Sequence, residues 1–297
     1  MASPIDLPPS LPTCLTNAGL TRAAMAEIGL LLVGCRGMAR EVLAFSGYST
    51  EEKSTPGQRV SAADSLIDSV LRERLPQLVP GSSGYSEEGG RFGQRIGALV
   101  RWQVDPLDGT RPASLGSAFA VSVGALVWEA EAPVAAVGWI YVPTIGALYQ
   151  GVWTPVFSEC LRNGVPAQAV GVSGADARYL AVDSNFRSEW LGASAPKITV
   201  PGATALNLAH LAFPPSDVFA VILSSYRPYD AFAGLVIAVA AGCEISAWRD
   251  EVGGWDPESK PLLPLLAELD ETPEQRGLLL LVTHPANAVF FPRASSR

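Results

Sequence analysis

The chain has 297 residues, a formal net charge of −8, two histidines and four cysteines. Apolar residues make up 48% of it and charged residues 17%, a composition typical of a folded protein rather than a disordered one. The negative charge excludes a nucleic-acid binder that works through a basic face. Two histidines also exclude HExxH zinc sites and multi-histidine metal cages, so any hydrolytic chemistry would fall mainly to carboxylates.

The sequence shows no signal for secretion or for insertion into a membrane. Its apolar runs are shorter than the roughly 18 residues that a membrane span needs, and its N-terminus lacks the basic and apolar regions of a secretory signal. The four cysteines are widely spaced, without a CxxC pair, which favours reduced structural thiols. We therefore expect a cytoplasmic protein with neither a nucleic-acid nor a membrane partner.

The first part of the chain has helical patterns. A proline-rich flexible arm is expected at residues 1–16. Apolar positions then recur at helical spacing over residues 16–45, and again from Ser61 to the residue before Pro76, so we expect a helix in each segment. Residues 80–97 are rich in Gly and Ser, which predicts a loop or a hairpin.

The pattern changes to strands in the middle of the chain and then alternates between helices and strands. Short apolar runs broken by Gly and Pro predict strands at residues 98–104, 118–129 and 134–142. Beyond Pro201, the predicted helices cover residues 203–213 and 230–242, and the predicted strands cover residues 218–223, 244–248 and 278–282. This order of elements predicts a layered α/β protein.

The most informative segment is an apolar strand that runs into two carboxylates, Asp105 and Asp108. A proline fixes the turn between them, and the carbonyl of Leu107 can turn the same way. Two carboxylates packed together repel unless they are protonated or bridged by a cation, and Mg²⁺ prefers such oxygen ligands. Gly109 and Thr110 then offer backbone N–H groups that suit a phosphate. Taken alone, the segment also fits an Asp-rich turn without any ligand.

The string Asp-Pro-Leu-Asp-Gly-Thr at residues 105–110 resembles the signature of the inositol monophosphatase family. These are Mg²⁺-dependent, lithium-sensitive phosphomonoesterases of the fructose-1,6-bisphosphatase-like superfamily. Other strings that resemble family motifs follow in the family's order over most of the chain: Lys53-Ser54-Thr55-Pro56, Val60-Ser61-Ala62-Ala63-Asp64, Ser86-Glu87-Glu88 for its "G-E-E" turn, Leu161-Arg162-Asn163-Gly164-Val165-Pro166, Gly202-Ala203-Thr204-Ala205-Leu206, and Pro228-Tyr229-Asp230-Ala231-Phe232-Ala233-Gly234. The resemblance implies an α-β-α-β-α sandwich, and a homodimer.

The resemblance also implies the metal ligands of two or three Mg²⁺ ions per active site. Glu87, Asp105 and the Leu107 carbonyl would hold the first ion. Asp105, Asp108 and Asp230 would hold the second, and Glu87 would share a third through waters. An N-terminal α+β lobe at residues 17–180 would then carry most ligands, while a C-terminal α/β lobe at residues 181–297 would contribute Asp230.

The catalytic and substrate-binding roles follow from the same resemblance. Asp64 and Thr110 would orient and deprotonate the attacking water, with Glu88 as a helper. The groups expected to bind phosphate or substrate are Gly109, Thr110, Arg111 and Lys53. Plainer roles remain open for the acids: Asp230 as a helix cap, Asp64 as a first-turn charge favoured by the helix dipole, and Glu87 and Glu88 as ordinary loop charges.

The chain departs from the family's pattern around the substrate end. Arg111 and Pro112 stand where an aromatic residue is common, the strand at residues 219–223 lacks a glutamate that contacts a sugar or inositol hydroxyl, and Ala203 replaces a serine. These departures argue against myo-inositol phosphate itself. We expect a phosphomonoesterase of a small inositol- or sugar-phosphate-like metabolite. The alternatives are a histidinol-phosphate or 3′-phosphoadenosine-type nucleotide phosphatase, and a non-catalytic phosphate-binding member.

Overall fold

A computed structural model describes most of the chain. The described residues are 10–46, 50–52, 59–110, 119–169, 179–182, 197–199, 202–213, 218–224, 226–249, 254–274 and 279–290. Among the helices of these segments, none is long and apolar enough to cross a membrane.

The N-terminal segment folds into three helices and a small ribbon. Their bounds are α1 Thr13–Asn17, α2 Arg22–Ser46, β1 Thr50–Glu52, β2 Arg59–Ser61 and α3 Ala62–Leu78. The prediction of a flexible arm at residues 1–16 was wrong for its last residues, because these residues form α1 and Leu15 is fully buried. The single helix expected over residues 16–45 is interrupted at Gly19, whose φ of 84° ends α1. Helix α3 continues past Pro76, because a proline in the last turn removes only one backbone hydrogen bond.

The middle of the chain forms an eight-stranded sheet with the order β10-β9-β8-β7-β6-β5-β3-β4. Among the described strands of this sheet, β3 and β5 pair in parallel and the other pairs are antiparallel. The expected hairpin at residues 80–97 is present as β3 and β4. The bounds are β3 Ser83–Ser86, β4 Gly90–Phe92, β5 Val100–Asp108, β6 Ala120–Glu129, β7 Ala132–Val142, β8 Ala147–Thr154, β9 Phe157–Arg162 and β10 Val165–Pro166.

The C-terminal part forms a six-stranded mixed sheet with the order β12-β11-β13-β16-β14-β15. Strand β11 pairs in parallel with β12 and β13, and the other pairs are antiparallel. The bounds are β11 Tyr179–Val182, β12 Lys197–Thr199, α4 Thr204–Leu211, β13 Val218–Leu223, α5 Pro228–Ala240, β14 Glu244–Arg249, β15 Gly254–Ser259, α6 Leu262–Glu271, β16 Leu280–Thr283 and a 3₁₀ helix Pro285–Phe290.

The two faces of the eight-stranded sheet are covered by different helices. On β6, Val121 and Val123 pack with α2 and α3 in one apolar cluster, whereas Leu126 packs in the other cluster with α4, α5 and α6. This alternation is the period of two of a strand that is buried on both faces. Helix α4 also contacts β13 of the second sheet. The described residues thus alternate between helices and sheets in layers, which confirms the layered α/β class predicted from the sequence. The two lobes stay a prediction.

Three glycines allow helix α5 to rest directly on the sheet. Gly124, Gly138 and Gly151 lie opposite one another on β6, β7 and β8. A Cβ atom at Gly138 would stand 2.5 Å from the carbonyl oxygen of Ala233, and one at Gly151 would stand 2.7 Å from the Cα of Ile237. Because both neighbours are backbone atoms of α5, a side chain at either glycine would lift the helix. We call Gly124, Gly138 and Gly151 the glycine seat.

Candidate active site

A bulge in β5 places two acids on the same side of the sheet. The strand was expected to end at residue 104, but it continues to Asp108. Asp105 pairs with Ser122 and Asp108 pairs with Ala120, so one extra residue on β5 lies between them. Residues three apart in a regular strand face opposite sides of the sheet. The extra residue of the bulge brings Asp108 to the same side as Asp105. Both carboxylates therefore project from one face.

Three acids from three separate elements meet at this end of β5. The side chains of Glu87, Asp105 and Asp230 each place one carboxylate oxygen within 4.8 Å of the other two. Glu87 directly follows β3, whose parallel pairing with β5 brings it beside Asp105, and its N–H donates to the carbonyl of Val104 at 3.0 Å. Asp230 lies in the first turn of α5. We call these three residues the acid cluster.

Asp230 also caps its own helix. Its Oδ2 atom accepts a hydrogen bond from the N–H of Arg227 at 2.7 Å. Asp230 is the third helical residue, from which a side chain reaches back to the residue before the helix. The helix-cap role considered from the sequence is therefore present. It is compatible with membership of the acid cluster, because a carboxylate has two oxygens.

Asp108 stands beside the acid cluster but faces the start of another helix. Its two carboxylate oxygens accept hydrogen bonds from the N–H groups of Thr204 at 2.9 Å and Ala205 at 2.7 Å. These groups belong to the first turn of α4, whose N–H ends attract negative charge. The adjacent Gly109 packs closely there, since a Cβ atom at this position would lie 3.2 Å from the Cβ of Ala203. A metal-ligand role for Asp108 stays a prediction.

A hydroxyl and a buried acid form a pair next to these carboxylates. The Oγ1 atom of Thr110 donates to Oδ1 of Asp64 at 2.9 Å and lies 3.2 Å from the carbonyl oxygen of Leu107. Asp64 is in the first turn of α3 and is fully buried. A buried acid bonded to a hydroxyl can accept a proton that the hydroxyl relays, which is the arrangement that general-base chemistry requires.

The family of the chain follows from comparison with known proteins. The sequence model of the inositol monophosphatase family matches residues 37–274. The chain belongs to this family. It is therefore a phosphoric monoester hydrolase, as the resemblance predicted.

Several relatives are similar to this chain over most of their length. An inositol-1-monophosphatase of Mycobacterium leprae (strain TN) is 29% identical over 225 residues, which are 71% of this chain and 76% of that protein. A fructose-1,6-bisphosphatase/inositol-1-monophosphatase of Aquifex aeolicus (strain VF5) is 30% identical over 198 residues, which are 62% of this chain and 70% of that protein.

Solved structures confirm the fold of the family. The extragenic suppressor protein suhB from Bartonella henselae has a TM-score of 0.66 at 18% identity, over 89% of this chain and 95% of that one. Inositol monophosphatase from Anabaena (Nostoc) sp. PCC 7120 has a TM-score of 0.59 at 21% identity, over 90% of this chain and 93% of that one.

The electrostatics of the acid cluster suit the metal dependence of the inositol monophosphatase family. Burial, followed by the charge of Glu87, raises the pKa of Asp105 and of Asp230 well above the usual value. Burial also raises the pKa of Asp108 to about 7, although the N–H groups of α4 lower it. A cation would replace the protons that such carboxylates retain. The three side chains offer only carboxylate oxygens, which hard divalent ions prefer.

The structure brings together most of the predicted site residues. Glu88 follows Glu87 in the turn after β3 and is half-buried, and its role stays a prediction. Lys53 and Arg111 lie outside the described residues. The buried Asp68 was not singled out from the sequence, although its position four residues after Asp64 places both acids on one face of α3.

Proposed function

We propose that this chain is a Mg²⁺-dependent phosphomonoesterase that hydrolyses a small inositol- or sugar-phosphate-like metabolite with an activated water. The observation that carries the proposal is the placement of the Thr110–Asp64 pair beside the acid cluster. One group of residues suits a divalent cation, and the other suits proton removal. A phosphatase that uses neither a catalytic histidine nor a covalent nucleophile needs both a bound cation and a group that removes the proton from water.

The residues of the acid cluster would hold the metal. Glu87, Asp105 and Asp230 offer oxygens at mutual distances that one divalent ion can bridge. The family resemblance adds Asp108 and the Leu107 carbonyl as further ligands. When bound, Mg²⁺ supplies the positive charge that offsets the phosphate and acidifies a coordinated water.

The other residues would position the substrate and move the proton. The Thr110 hydroxyl, held by Asp64 at 2.9 Å, would orient the attacking water, and the Asp64 carboxylate would accept the proton. The backbone N–H groups of Gly109 and Thr110, with Arg111 and Lys53, would bind the phosphate or the rest of the substrate. Glu88 would assist the proton transfer.

A phosphate-release screen tests the proposal. Inositol, sugar, amino-alcohol and nucleotide monophosphates are offered with Mg²⁺, with and without Li⁺. We expect release that requires Mg²⁺ and is inhibited by Li⁺. Asp105→Asn should lower kcat/KM at least about 100-fold with the fold intact, while Glu131→Gln, at an exposed turn, should leave it unchanged.

The outcomes separate the alternative functions. Undiminished turnover by Asp105→Asn contradicts the metal-site assignment. Activity confined to histidinol phosphate or to 3′-phosphonucleotides selects those alternatives, and activity on no substrate favours a phosphate-binding protein without catalysis. The homodimer and the cytoplasmic location remain predictions of the sequence, and size-exclusion chromatography with light scattering tests the first.

A further inference from the structure

One face of helix α3 points towards both acid-bearing segments of the site. Asp64, Asp68 and Arg72 occur at intervals of four residues and therefore share this face. Asp64 accepts the hydrogen bond from Thr110, at the end of the segment that contains Asp105. The two later residues contact the hairpin that carries Glu87.

The first of these contacts is a buried hydrogen bond. The hydroxyl of Ser86 donates to Oδ1 of Asp68, and the exposed fractions of the two residues are 0% and 4%. Ser86 is the last residue of β3 and directly precedes Glu87. A hydrogen bond to a buried carboxylate is stronger than one between neutral groups.

Arg72 extends the contact across the same hairpin. Its guanidinium lies 3.6 Å from Oδ2 of Asp68, donates to the carbonyl of Arg91 at 3.4 Å and stands 5.9 Å from the ring centre of Phe92. It also occupies the space beside Gly89 that a side chain there would need. The turn at residues 87–89 is thus held on both sides, by Ser86 before it and by the hairpin strand after it.

Glu87 needs such support more than the other two acids of the cluster. Asp105 is fixed within the sheet by β5 and Asp230 by the first turn of α5, whereas Glu87 stands in a hairpin turn. Wherever the three acids of the cluster are ionised without a cation, their like charges repel one another. If the turn were less firmly held, the Glu87 side chain could move away from the other two acids. Metal binding would then lack one ligand or carry the free-energy cost of ordering it.

We propose that Asp68 is a positioning residue for Glu87 and, through it, sets the affinity of the acid cluster for a divalent cation. The inference rests on the proposed function, since it assumes that the acid cluster binds Mg²⁺. Asp68 itself is not a member of the acid cluster. Its carboxylate holds the Ser86 hydroxyl and the Arg72 guanidinium, and these two contacts fix the turn between them.

The test measures Mg²⁺ binding to the metal-free protein by calorimetry, in wild type, Asp68→Ala, Asp68→Asn and Ser86→Ala. We expect Asp68→Ala and Ser86→Ala to weaken binding by roughly 10- to 100-fold, the usual effect of removing a group that orients a metal ligand. Asp68→Asn should bind more tightly than Asp68→Ala, because the amide oxygen still accepts from Ser86. The control is Glu73→Gln, on the exposed side of α3, which should bind like wild type.

Kinetics separate positioning from a purely structural role. The KM for Mg²⁺ should rise in Asp68→Ala and Ser86→Ala while kcat at saturating Mg²⁺ changes little. Folded variants that bind Mg²⁺ like wild type overturn the inference, even if their thermal stability falls. If Asp68→Ala does not fold, Ser86→Ala decides by the same readout, since it removes one hydroxyl only. A wild-type protein that binds no Mg²⁺ instead contradicts the proposed function, and the inference with it.

Discussion

The rings of Tyr85 and Tyr229 stack with 9° between their planes and 6.1 Å between their centres. Tyr85 lies two residues before Glu87 on β3, and Tyr229 lies directly before Asp230 on α5. The stack therefore joins the two elements that bring these acids together from distant parts of the chain. It is a contact between the neighbours of two members of the acid cluster rather than between the acids themselves.

A double-mutant cycle measures this contact. Leucine at either position keeps an apolar side chain but removes the ring, so Tyr85→Leu, Tyr229→Leu and the double variant isolate the ring–ring interaction. We expect a coupling free energy of about 1 kcal/mol from urea unfolding, the usual value for an aromatic pair. Phenylalanine at both positions is the control and should retain the coupling. Additive effects of the two leucine substitutions would show that the stack contributes nothing.

The glycine seat gives a second prediction. Gly138→Ala places a methyl group 2.5 Å from a backbone oxygen of α5, so either the helix or the sheet must shift. We expect the free energy of unfolding to fall by about 1–3 kcal/mol, and Mg²⁺ binding to weaken because Asp230 moves with the helix.

The matched control for this change is Gly34→Ala in α2. A Cβ atom there meets no atom of the described residues within 4 Å. Alanine should raise the free energy of unfolding by about 0.5–1 kcal/mol, because glycine is a poor helix former. Equal effects of the two substitutions would contradict close packing at the seat. Urea unfolding followed by circular dichroism measures both.

The stability of the metal-free protein should depend on pH through the acid cluster. The pKa values of Asp105 and Asp230 are raised by burial and by Glu87, and that of Asp108 is raised by burial to about 7. In the unfolded chain these groups ionise near pH 4. The folded protein therefore holds more protons above that pH, and its free energy of unfolding falls as the pH rises through the folded pKa values.

The measurement is the thermal midpoint in EDTA between pH 5 and pH 8, with and without Mg²⁺. We expect the midpoint to fall with pH in EDTA and Mg²⁺ to raise it most at pH 8, since the metal binds the ionised carboxylates of the folded state. Asp105→Asn should flatten the dependence. A midpoint in EDTA that rises from pH 6 to pH 8, with the same slope in this variant, would be incompatible with the raised pKa values.

A buried ion-pair network fixes α6 to β5. Asp270 is fully buried and accepts hydrogen bonds from Arg95 at 2.9 Å, from Arg101 at 3.2 Å and from the Gln103 side chain at 3.1 Å. Asp270→Ala removes the buried acceptor of these donors, while both arginines keep Glu271, so we expect a loss of about 2–3 kcal/mol in the free energy of unfolding.

The neighbouring Glu271 provides the control, because it contacts the same two arginines at 2.7 and 3.1 Å but its side chain is 59% exposed. Exposed ion pairs contribute little, so Glu271→Ala should cost at most about 1 kcal/mol. The two variants are compared by urea unfolding. Similar losses would mean that burial of Asp270 does not determine its contribution.

The layered fold and the pair of Asp105 and Asp108 could be predicted from local patterns, whereas the other acids were added by the resemblance to the family. An apolar strand that ends in acids, and a helix that starts beside Asp230, are visible without tertiary information. The bulge between Asp105 and Asp108 is not, because it depends on the register of β6. The contact of Asp108 with the first turn of α4 joins residues 96 positions apart, and no local pattern marks it.

The roles of Asp68 and of the glycine seat also depend on contacts with a second element that is distant in the sequence. Asp68 looks like an ordinary helix charge until β3 places Ser86 against it. Gly138 looks like a weak strand residue until α5 packs there. In both cases, the second element decides the role of the residue.

The glycine seat has a consequence for how this protein can change over time. At Gly138 and Gly151, helix α5 rests on the sheet through its backbone atoms, so at these two positions its distance from the sheet does not depend on the size of a side chain. Substitution of core residues away from the seat should therefore displace Asp230 less than substitution of these glycines. Glycine should therefore be retained at the three positions of the seat, because any larger residue there would clash with α5.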